Sequence, residues 1–461
     1  MGLVWAAWIT RLWLLWQANQ LPAFDFGIFA QVTWGLAHGE PGRSSLLNNT
    51  HWLGDHFQPI LYLYAPILRA CGTPFALIVG ETALVAAAAR PLARITFRAT
   101  GSPAVAFTLA LAYLVNPATT AAVMFPVHPS TLVAPLLIFA FDAFDTRHPR
   151  RAAGLTLLAL CCKEDVGFYL AGLGIWLALA RRERAVGLSL AVFGAAWSLA
   201  CIFAVIPWFR GAAFHMFEWA PALRDGGWAN PVAVLRTAVD SPEKLRLLLL
   251  GFGALGFLPL GDPLTLAAAP FLAERLLGSN PNHVDAAFHY GAPSLAVLTV
   301  AAALAAARLG RRFPGPWTAR GIVGVLILGT AGACAAAWSP GVPTTDLLGA
   351  SARADARAVQ EALALVPAGA SVLAQDTLVA RFADHRRLGV IARRPVRDWD
   401  YVVADVTLPD AAGGLPGTLH AITSTSSHGL IYSAAGVAVW QRRAIPRATL
   451  SPEVAGYLAG H

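Results

Sequence analysis

The chain has 461 residues, 56% hydrophobic and only 13% charged, with 15 tryptophans and a formal net charge of +8. A soluble domain carries about 25% charged residues, so the composition excludes a water-soluble globule and points to an integral membrane protein. The positive charge is no nucleic-acid footprint: the arginines fall in short clusters between apolar segments, the pattern of cytoplasmic loops. Cys71, Cys161, Cys162, Cys201 and Cys334 all lie in apolar stretches without metal-type spacing. They read as small core residues, not as a disulfide frame or a zinc site.

In chain order, the first apolar segment, 3–16, lacks a small-residue cleavage site behind it and reads as a retained helix. It begins so near Met1 that a start further upstream stays open. Helices are predicted near 3–18, 74–91, 103–123, 129–145, 152–162, 166–180, 185–207, 246–260, 262–277, 292–307 and 321–338. That makes about 11 spans. The clusters Arg90/Arg94/Arg98, Arg147/Arg150/Arg151, Arg181/Arg182/Arg184 and Arg308/Arg311/Arg312/Arg320 then fall on the cytoplasmic side, with the N-terminus inside and everything after Trp338 outside. Counting 56–71 as a further span would put Arg90 to Arg98 outside, so a re-entrant or interfacial segment is expected there.

Polar residues collect on the predicted outer face. His38, His51, His56, His128, His215, His283 and His289 all fall in or beside outer loops, the longest being 19–56 and 208–245, with shorter ones at 124–129 and 278–291. Beyond about residue 340 the amphipathic helix pattern of 352–366 leads into short β-type runs at 371–374, 387–391, 401–405 and 436–441. The expectation is a mainly α protein: a polytopic transmembrane helical bundle over 1–340, followed by a small extracytoplasmic α/β domain over 341–461. No internal repeat between the halves of the membrane region is visible, which weighs against an inverted-repeat transporter.

Lys163, Glu164 and Asp165 separate two apolar stretches, the first of which, 152–162, spans only about 16 Å as a helix. A hydrocarbon core is about 30 Å thick, so these charges are expected at or below the membrane surface, where ionisable groups mark functional cavities. The chain has two lysines, Lys163 and Lys244, against 32 arginines. A compact ammonium at a cavity floor suits a phosphate, while one carboxylate can pair with Lys163 and another can hold a divalent cation or orient an acceptor. The alternative is a self-satisfied cluster that fixes helix packing. Asp25, just after the first helix in Phe24-Asp25-Phe26-Gly27-Ile28-Phe29-Ala30-Gln31, can act as a general base or as the N-cap of a helix running from Phe26 to about Ala37.

Four motifs occur in order: the Phe-Asp-x-Gly-Ile-Phe-x-Gln stretch, Gly54-Asp55-His56-Phe57-Gln58-Pro59, Val127-His128-Pro129 and Lys163-Glu164-Asp165. Together they resemble a bacterial polytopic membrane family of unknown function. That family is in turn similar to the GT-C class of lipid-sugar-dependent glycosyltransferases, which includes the protein O-mannosyltransferases and lipid A aminoarabinose transferases. The resemblance covers most of 20–310, and is specific for the uncharacterised family but general for GT-C. It implies a GT-C-like bundle, a polyprenyl-phosphate sugar donor, inversion at the sugar carbon, an essential acidic residue in the first outer loop, and often an extracytoplasmic C-terminal domain. Asp25 matches that acidic position. A second acidic residue, frequent in GT-C members, has no clear counterpart between Glu40 and Asp55, and the Lys-Glu-Asp run has no GT-C role to carry over.

Gln31, Asp55, His56, His128, His289 and Tyr290 are substrate or metal candidates. Asp55 and His56 with His128, or with His283, Asp285 and His289, form a possible oxygen/nitrogen ligand set, but no dedicated zinc spacing is present. Hydrogen bonding to backbone or sugar hydroxyls is the competing use of these histidines. His289-Tyr290 also suits an interfacial anchor. Trp52, Trp208, Trp219 and Trp228 could stack on sugar rings, but tryptophan at a membrane interface is common without any sugar, and Arg224, Asp225, Gly226 and Gly227 read as a loop with a turn. In the C-terminal domain Asp376, Asp384, His385 and Asp405 read as turn and strand-end residues. The preferred reading is a transferase in a bacterial cytoplasmic membrane that moves a sugar to an extracytoplasmic acceptor, with Asp25 as base and Lys163 at the leaving phosphate. The alternatives are a transporter or flippase for a lipid-linked or polar solute and a non-catalytic scaffold. A transporter needs polar groups on both faces, and the inner face offers little beyond arginines and Asp262.

Overall fold

The structure, a computed structural model, describes residues 1–21, 24–213, 230–337, 350–410, 413–425 and 427–460. Apolar runs with clear start signals become helices. Ser102 and Asn116 accept hydrogen bonds from the Val105 and Ala118 N–H groups, and each precedes a proline at the first helical position. Two separately capped helices result, Pro103–Val115 and Pro117–Met124, bent 41° apart where the sequence predicts one helix. Phe75–Thr100, Arg184–Arg210 and Pro316–Ala337 are each long and apolar enough to cross a membrane, and the bent pair taken together makes a fourth candidate. The predicted helix 246–260 is instead helix Pro242–Gly253 followed by a 3-10 turn, Leu258–Gly261, and the predicted helix 262–277 is a 3-10 stretch, Pro263–Ala268, and a short helix, Ala269–Leu277. Pro259, Pro263 and Pro270 lack the N–H groups that a continuous α-helix requires.

The chain divides into two compact units. Unit 1 comprises Met1–Trp8, Leu53–Ile60 and Gly80–Ser339. Its helix Leu295–Arg312 is buried on nearly every side as far as Ala307, as an all-round apolar helix should be. Arg94 and Arg98 both pair with Asp142, and Arg98 also reaches Asp145 at 2.7 Å, tying the arginine-bearing end of Phe75–Thr100 to helix Val133–Asp145. Helices Val166–Ala180 and Arg184–Arg210 form an antiparallel hairpin in backbone contact. A Cβ on Gly167 would stand 2.3 Å from the Gly194 carbonyl oxygen, and one on Gly174 2.5 Å from that of Gly187. Small residues permit this approach where apolar surface alone cannot drive association.

Unit 2 comprises Ile9–Trp52, Leu61–Val79 and Pro340–His461. Helix Phe24–Ala37 is followed by a two-stranded antiparallel ribbon, β1 (Arg43–Ser44) and β2 (Thr50–His51). The C-terminal segment opens with helix Ala350–Ala364 and builds five strands: β3 (Val372–Ala374), β4 (Leu388–Val390), β5 (Tyr401–Asp405), β6 (His428–Ala434) and β7 (Val437–Arg442). Their order is β4-β3-β5-β7-β6, with β4, β3 and β5 parallel and β7 and β6 antiparallel. Four of the strands match the predicted β-runs, whereas β6 lies where no run is predicted. Leu373, Val402, Trp440, Leu415 and Leu419 form the core between the sheet and its helices.

Candidate functional site

Lys163, Glu164 and Asp165 occupy the irregular stretch between helices Pro149–Leu160 and Val166–Ala180 in unit 1. The three side chains take different partners. Lys163 Nζ lies 3.0 Å from Asp165 Oδ2 and 2.9 Å from Glu274 Oε1, so two carboxylates share one ammonium. Glu164 is 4% exposed and turns to the 54–58 segment. Its Oε1 lies 2.8 Å from His56 Nδ1, and its Oε2 accepts from the Phe57 N–H at 3.0 Å. The Ile60 N–H donates to the Cys161 carbonyl at 3.1 Å, fixing the same segment against the same turn. Gly54 lets it close: a Cβ there would come within 2.7 Å of the Arg210 nitrogen. Burial opposes protonation of His56, but the Glu164 carboxylate outweighs that cost and, with help from Asp55, raises the imidazole to about 9. Asp55 itself is half-buried beside it.

Glu274 brings Arg275 with it. The Arg275 side chain is buried, and its Nε donates to the His283 carbonyl at 2.6 Å. Its terminal nitrogens make no hydrogen bond or ion pair among the described residues. The Tyr169 hydroxyl, His283 Nδ1 and His289 Nδ1 are likewise buried without a hydrogen-bond partner there. A ring cluster adjoins them: His128 stacks on His289 with centroids 3.8 Å apart, and Tyr290 lies 4.2 Å from His289 and 4.4 Å from His283. Burial, reinforced by His128, Lys163, His283 and Arg275, holds His289 well below the ordinary histidine range. Burial lowers His283 too, so both rings are neutral at pH 7. Buried polar atoms are nearly always hydrogen-bonded, so the Arg275 terminal nitrogens, the Tyr169 hydroxyl and the two neutral rings are what a polar ligand would complete, whereas Lys163 is already held by Asp165 and Glu274.

No group of three or more His, Cys, Asp or Glu side chains among the described residues is placed to hold a metal ion. Glu164 spends its oxygens on His56 and Phe57, and Asp165 pairs with Lys163, so neither is left as the centre of a ligand set. No chemical step is assigned to a metal here.

Asp25 and Gln31 belong to unit 2. The helix starts at Phe24, which places Asp25 inside the first turn instead of capping it, where a carboxylate complements the helix dipole. Phe26 is fully buried with its ring 5.7 Å from Trp16. Gly27 allows the 3-10 helix Asp376–Phe382 to approach: a Cβ would stand 2.7 Å from Val379 Cγ2. Gln31 Nε2 donates to the His385 carbonyl at 2.7 Å and to Ser45 Oγ at 3.0 Å. Its Oε1 accepts from Ser44 Oγ at 2.7 Å and the Ser45 N–H at 3.0 Å. Most of this motif therefore docks a helix, and Phe24 and Asp25 are the members left half-exposed. Trp52 is buried and Trp208 exposed, whereas His215, Trp219, Arg224, Asp225, Gly226, Gly227 and Trp228 lie outside the described residues.

Glu274 and Arg275 are the members the sequence reading misses. Their signal is a charged pair at the end of the apolar run 263–273, about 110 residues from the lysine that one of them neutralises.

The sequence profile of a family described as "Predicted membrane protein (DUF2079)" matches residues 11–412. No curated protein matches the chain in sequence. Among solved structures it is similar to the crystal structure of ArnT from Cupriavidus metallidurans in the apo state, with a TM-score of 0.50 and 13% identity over 94% of this chain and 97% of that one. At that identity the likeness speaks for the fold.

Proposed function

We propose that this chain, a member of the DUF2079 family of predicted membrane proteins, is an integral-membrane glycosyltransferase of GT-C type that moves a sugar from a polyprenyl-phosphate donor to an extracytoplasmic acceptor. The observation that carries the reading is the buried Arg275, whose terminal N–H groups have no protein partner among the described residues and which lies in one cluster with Lys163, Tyr169, His283 and His289. The overall likeness to ArnT, a GT-C glycosyltransferase, supports it. In this reading the chain is a polytopic helical bundle in a bacterial cytoplasmic membrane, with residues 341–461 on its outer side.

The acceptor hydroxyl attacks the sugar carbon, the bond from that carbon to the donor phosphate oxygen breaks, and the polyprenyl phosphate leaves with the electron pair. Asp25 receives the hydroxyl proton. Charge grows on the leaving phosphate, and a fixed guanidinium fork in a dry site is well suited to offset it. Lys163, already shared by Asp165 and Glu274, adds to the local field and holds the turn. Glu164 acts further out, by fixing the 54–58 segment.

The test is mass spectrometry of polyprenyl-linked sugars and envelope glycans in a deletion strain restored with wild type, Asp25→Asn or Arg275→Gln at matched membrane levels. A glycan lost on deletion and restored by wild type names the substrate. Each variant should lower its formation about 10²-fold or more. Full restoration by Asp25→Asn removes the base from the mechanism and moves a transporter ahead, since charges at broken helices also build midplane transport sites.

A further inference from the structure

Arg393 and Arg394 are consecutive cations in the turn after β4, a turn tight enough to hold Ala392 at φ +71°. Exposed arginines generally pair with carboxylates or reach into water, and nearby Arg386 does pair, its Nη2 lying 2.6 Å from Glu40. Arg393 and Arg394 instead turn onto one cavity of 260 Å³ in unit 2, lined also by Phe24, Ser45, Asn48 and Gly389. The Arg393 guanidinium lies 4.0 Å from the centre of the Phe24 ring, a cation–π contact that holds it without neutralising it. Arg394 Nη2 donates to Asn48 Oδ1, an uncharged acceptor. Neither guanidinium forms an ion pair among the described residues. Asp376 is close enough to interact with Arg393 electrostatically but is not paired with it.

The walls are fixed. Ser45 Oγ donates to the Leu388 carbonyl and accepts from the Leu388 N–H, each at 2.8 Å, and Asn48 sits at φ +56° in the tight bend between β1 and β2. The volume equals that of about nine waters at ~30 Å³ each, which is ample for a tetrahedral oxyanion and part of what it is attached to. Two forked, unneutralised guanidinium groups on rigid supports match the geometry of phosphate oxygens.

We propose that this cavity is an oxyanion-binding site that takes a phosphate group, with Arg393 and Arg394 as its ligands. The group comes from a water-soluble phosphate compound or from a lipid headgroup. Resting on the transferase reading, which places the donor phosphate at Arg275, it is a phosphate carried by the acceptor, because Phe24 and Asp25 are consecutive with Cα atoms about 3.8 Å apart.

The experiment is equilibrium dialysis of radiolabelled inorganic phosphate against the full chain in phosphatidylcholine nanodiscs. The wild type, Arg393→Gln/Arg394→Gln, Arg394→Lys and the control Arg397→Gln are compared, each also in an Arg275→Gln background. A saturable component should persist with Arg275→Gln and with Arg397→Gln. It should weaken at least tenfold in the double variant and by a smaller factor in Arg394→Lys, which keeps the charge and loses the fork. A parallel arm dopes the discs with phosphatidylglycerol and counts lipid retained per chain by native mass spectrometry. Retention that depends on the arginine pair, without binding of free phosphate, assigns the site to a headgroup. If neither phosphate nor phosphatidylglycerol binding responds to the double variant or to Arg394→Lys while circular dichroism shows both folded, the site does not exist. No step of glycosyl transfer enters this readout, so it stands or falls separately from the Asp25→Asn test.

Discussion

Glu164 is among the most buried carboxylates of unit 1, and its two oxygens tie a turn to a segment more than 100 residues away, one to the His56 ring at 2.8 Å and one to the Phe57 N–H at 3.0 Å. Glu164→Gln keeps the shape and one acceptor but removes the charge, and should cost about 2 kcal/mol, the scale of a hydrogen bond to a charged group. It should also change the response to pH. His56 is raised in the folded chain from 6.5 to about 9. Its contribution is therefore complete below pH 6.5 and is lost as pH rises through about 9. With 40% of the His56 side chain open to solvent, screening trims the effect. The Tm of the wild type in detergent should fall by a few degrees between about pH 6.5 and 9, and Glu164→Gln should flatten that slope. An equal slope in both proteins removes the pair from the account. The need for a partner to these charges is legible in the sequence. The partner's identity is not: His56 is one of several outer-loop histidines, and Glu274 stands in the last turn of what reads as a span.

At the scale of elements, the hairpin of Val166–Ala180 and Arg184–Arg210 sets where Asp165 and Lys163 stand, since both residues immediately precede its first helix. Gly167, Gly174, Gly187 and Gly194 stand seven apart on each arm, a spacing visible in the sequence as soon as the two runs are read as one hairpin. Gly194→Ala puts a methyl 2.4 Å from the Gly167 carbonyl oxygen, backbone that cannot rotate away, and overpacking of this kind costs about 1–3 kcal/mol. Gly154, in helix Pro149–Leu160, has nothing within 4 Å of the same added atom. There the change to alanine should be neutral or favourable by up to about 1 kcal/mol through helix propensity. Thermal unfolding followed by fluorescence-detected size-exclusion chromatography separates the two: Gly194→Ala below wild type, Gly154→Ala at or above it. Equal shifts would mean that the hairpin tolerates a looser packing than its glycines imply. The broken helices are harder to foresee. Residues 262–277 look as apolar as any span, and only the positions of Pro263 and Pro270 relative to the i→i−4 ladder divert them.

For the molecule as a whole, the consequential feature is that unit 2 is assembled from segments far apart in the chain. Residues 376–394 reach back repeatedly to 16–50: Arg381 to Trp16 and Asn19, Val379 to Gly27, the His385 carbonyl to Gln31, Arg386 to Glu40, Leu388 to Ser45 and Arg394 to Asn48. Reading along the sequence cannot reveal this, because Gln31 and Gly27 look like members of a catalytic motif and nothing near residue 385 marks a docking site. Without the C-terminal segment, helix Phe24–Ala37 loses the support of Gln31 and of the surface that Gly27 fits, although ten of its 14 residues are buried. Local stability governs how often a segment opens to a protease. Deleting 350–461 should therefore speed tryptic cleavage after Arg43 at least tenfold in isolated membranes, mapped by mass spectrometry of the released peptide. Gln31→Ala, which removes the hydrogen bonds to Ser44, Ser45 and the His385 carbonyl but keeps the domain, should lie between, with a loss of about 2 kcal/mol and a correspondingly faster cut. If the truncated chain resists trypsin at Arg43 as well as the wild type does, the Asp25 helix is held by something other than these contacts, and the motif around Asp25 regains its claim to be wholly catalytic.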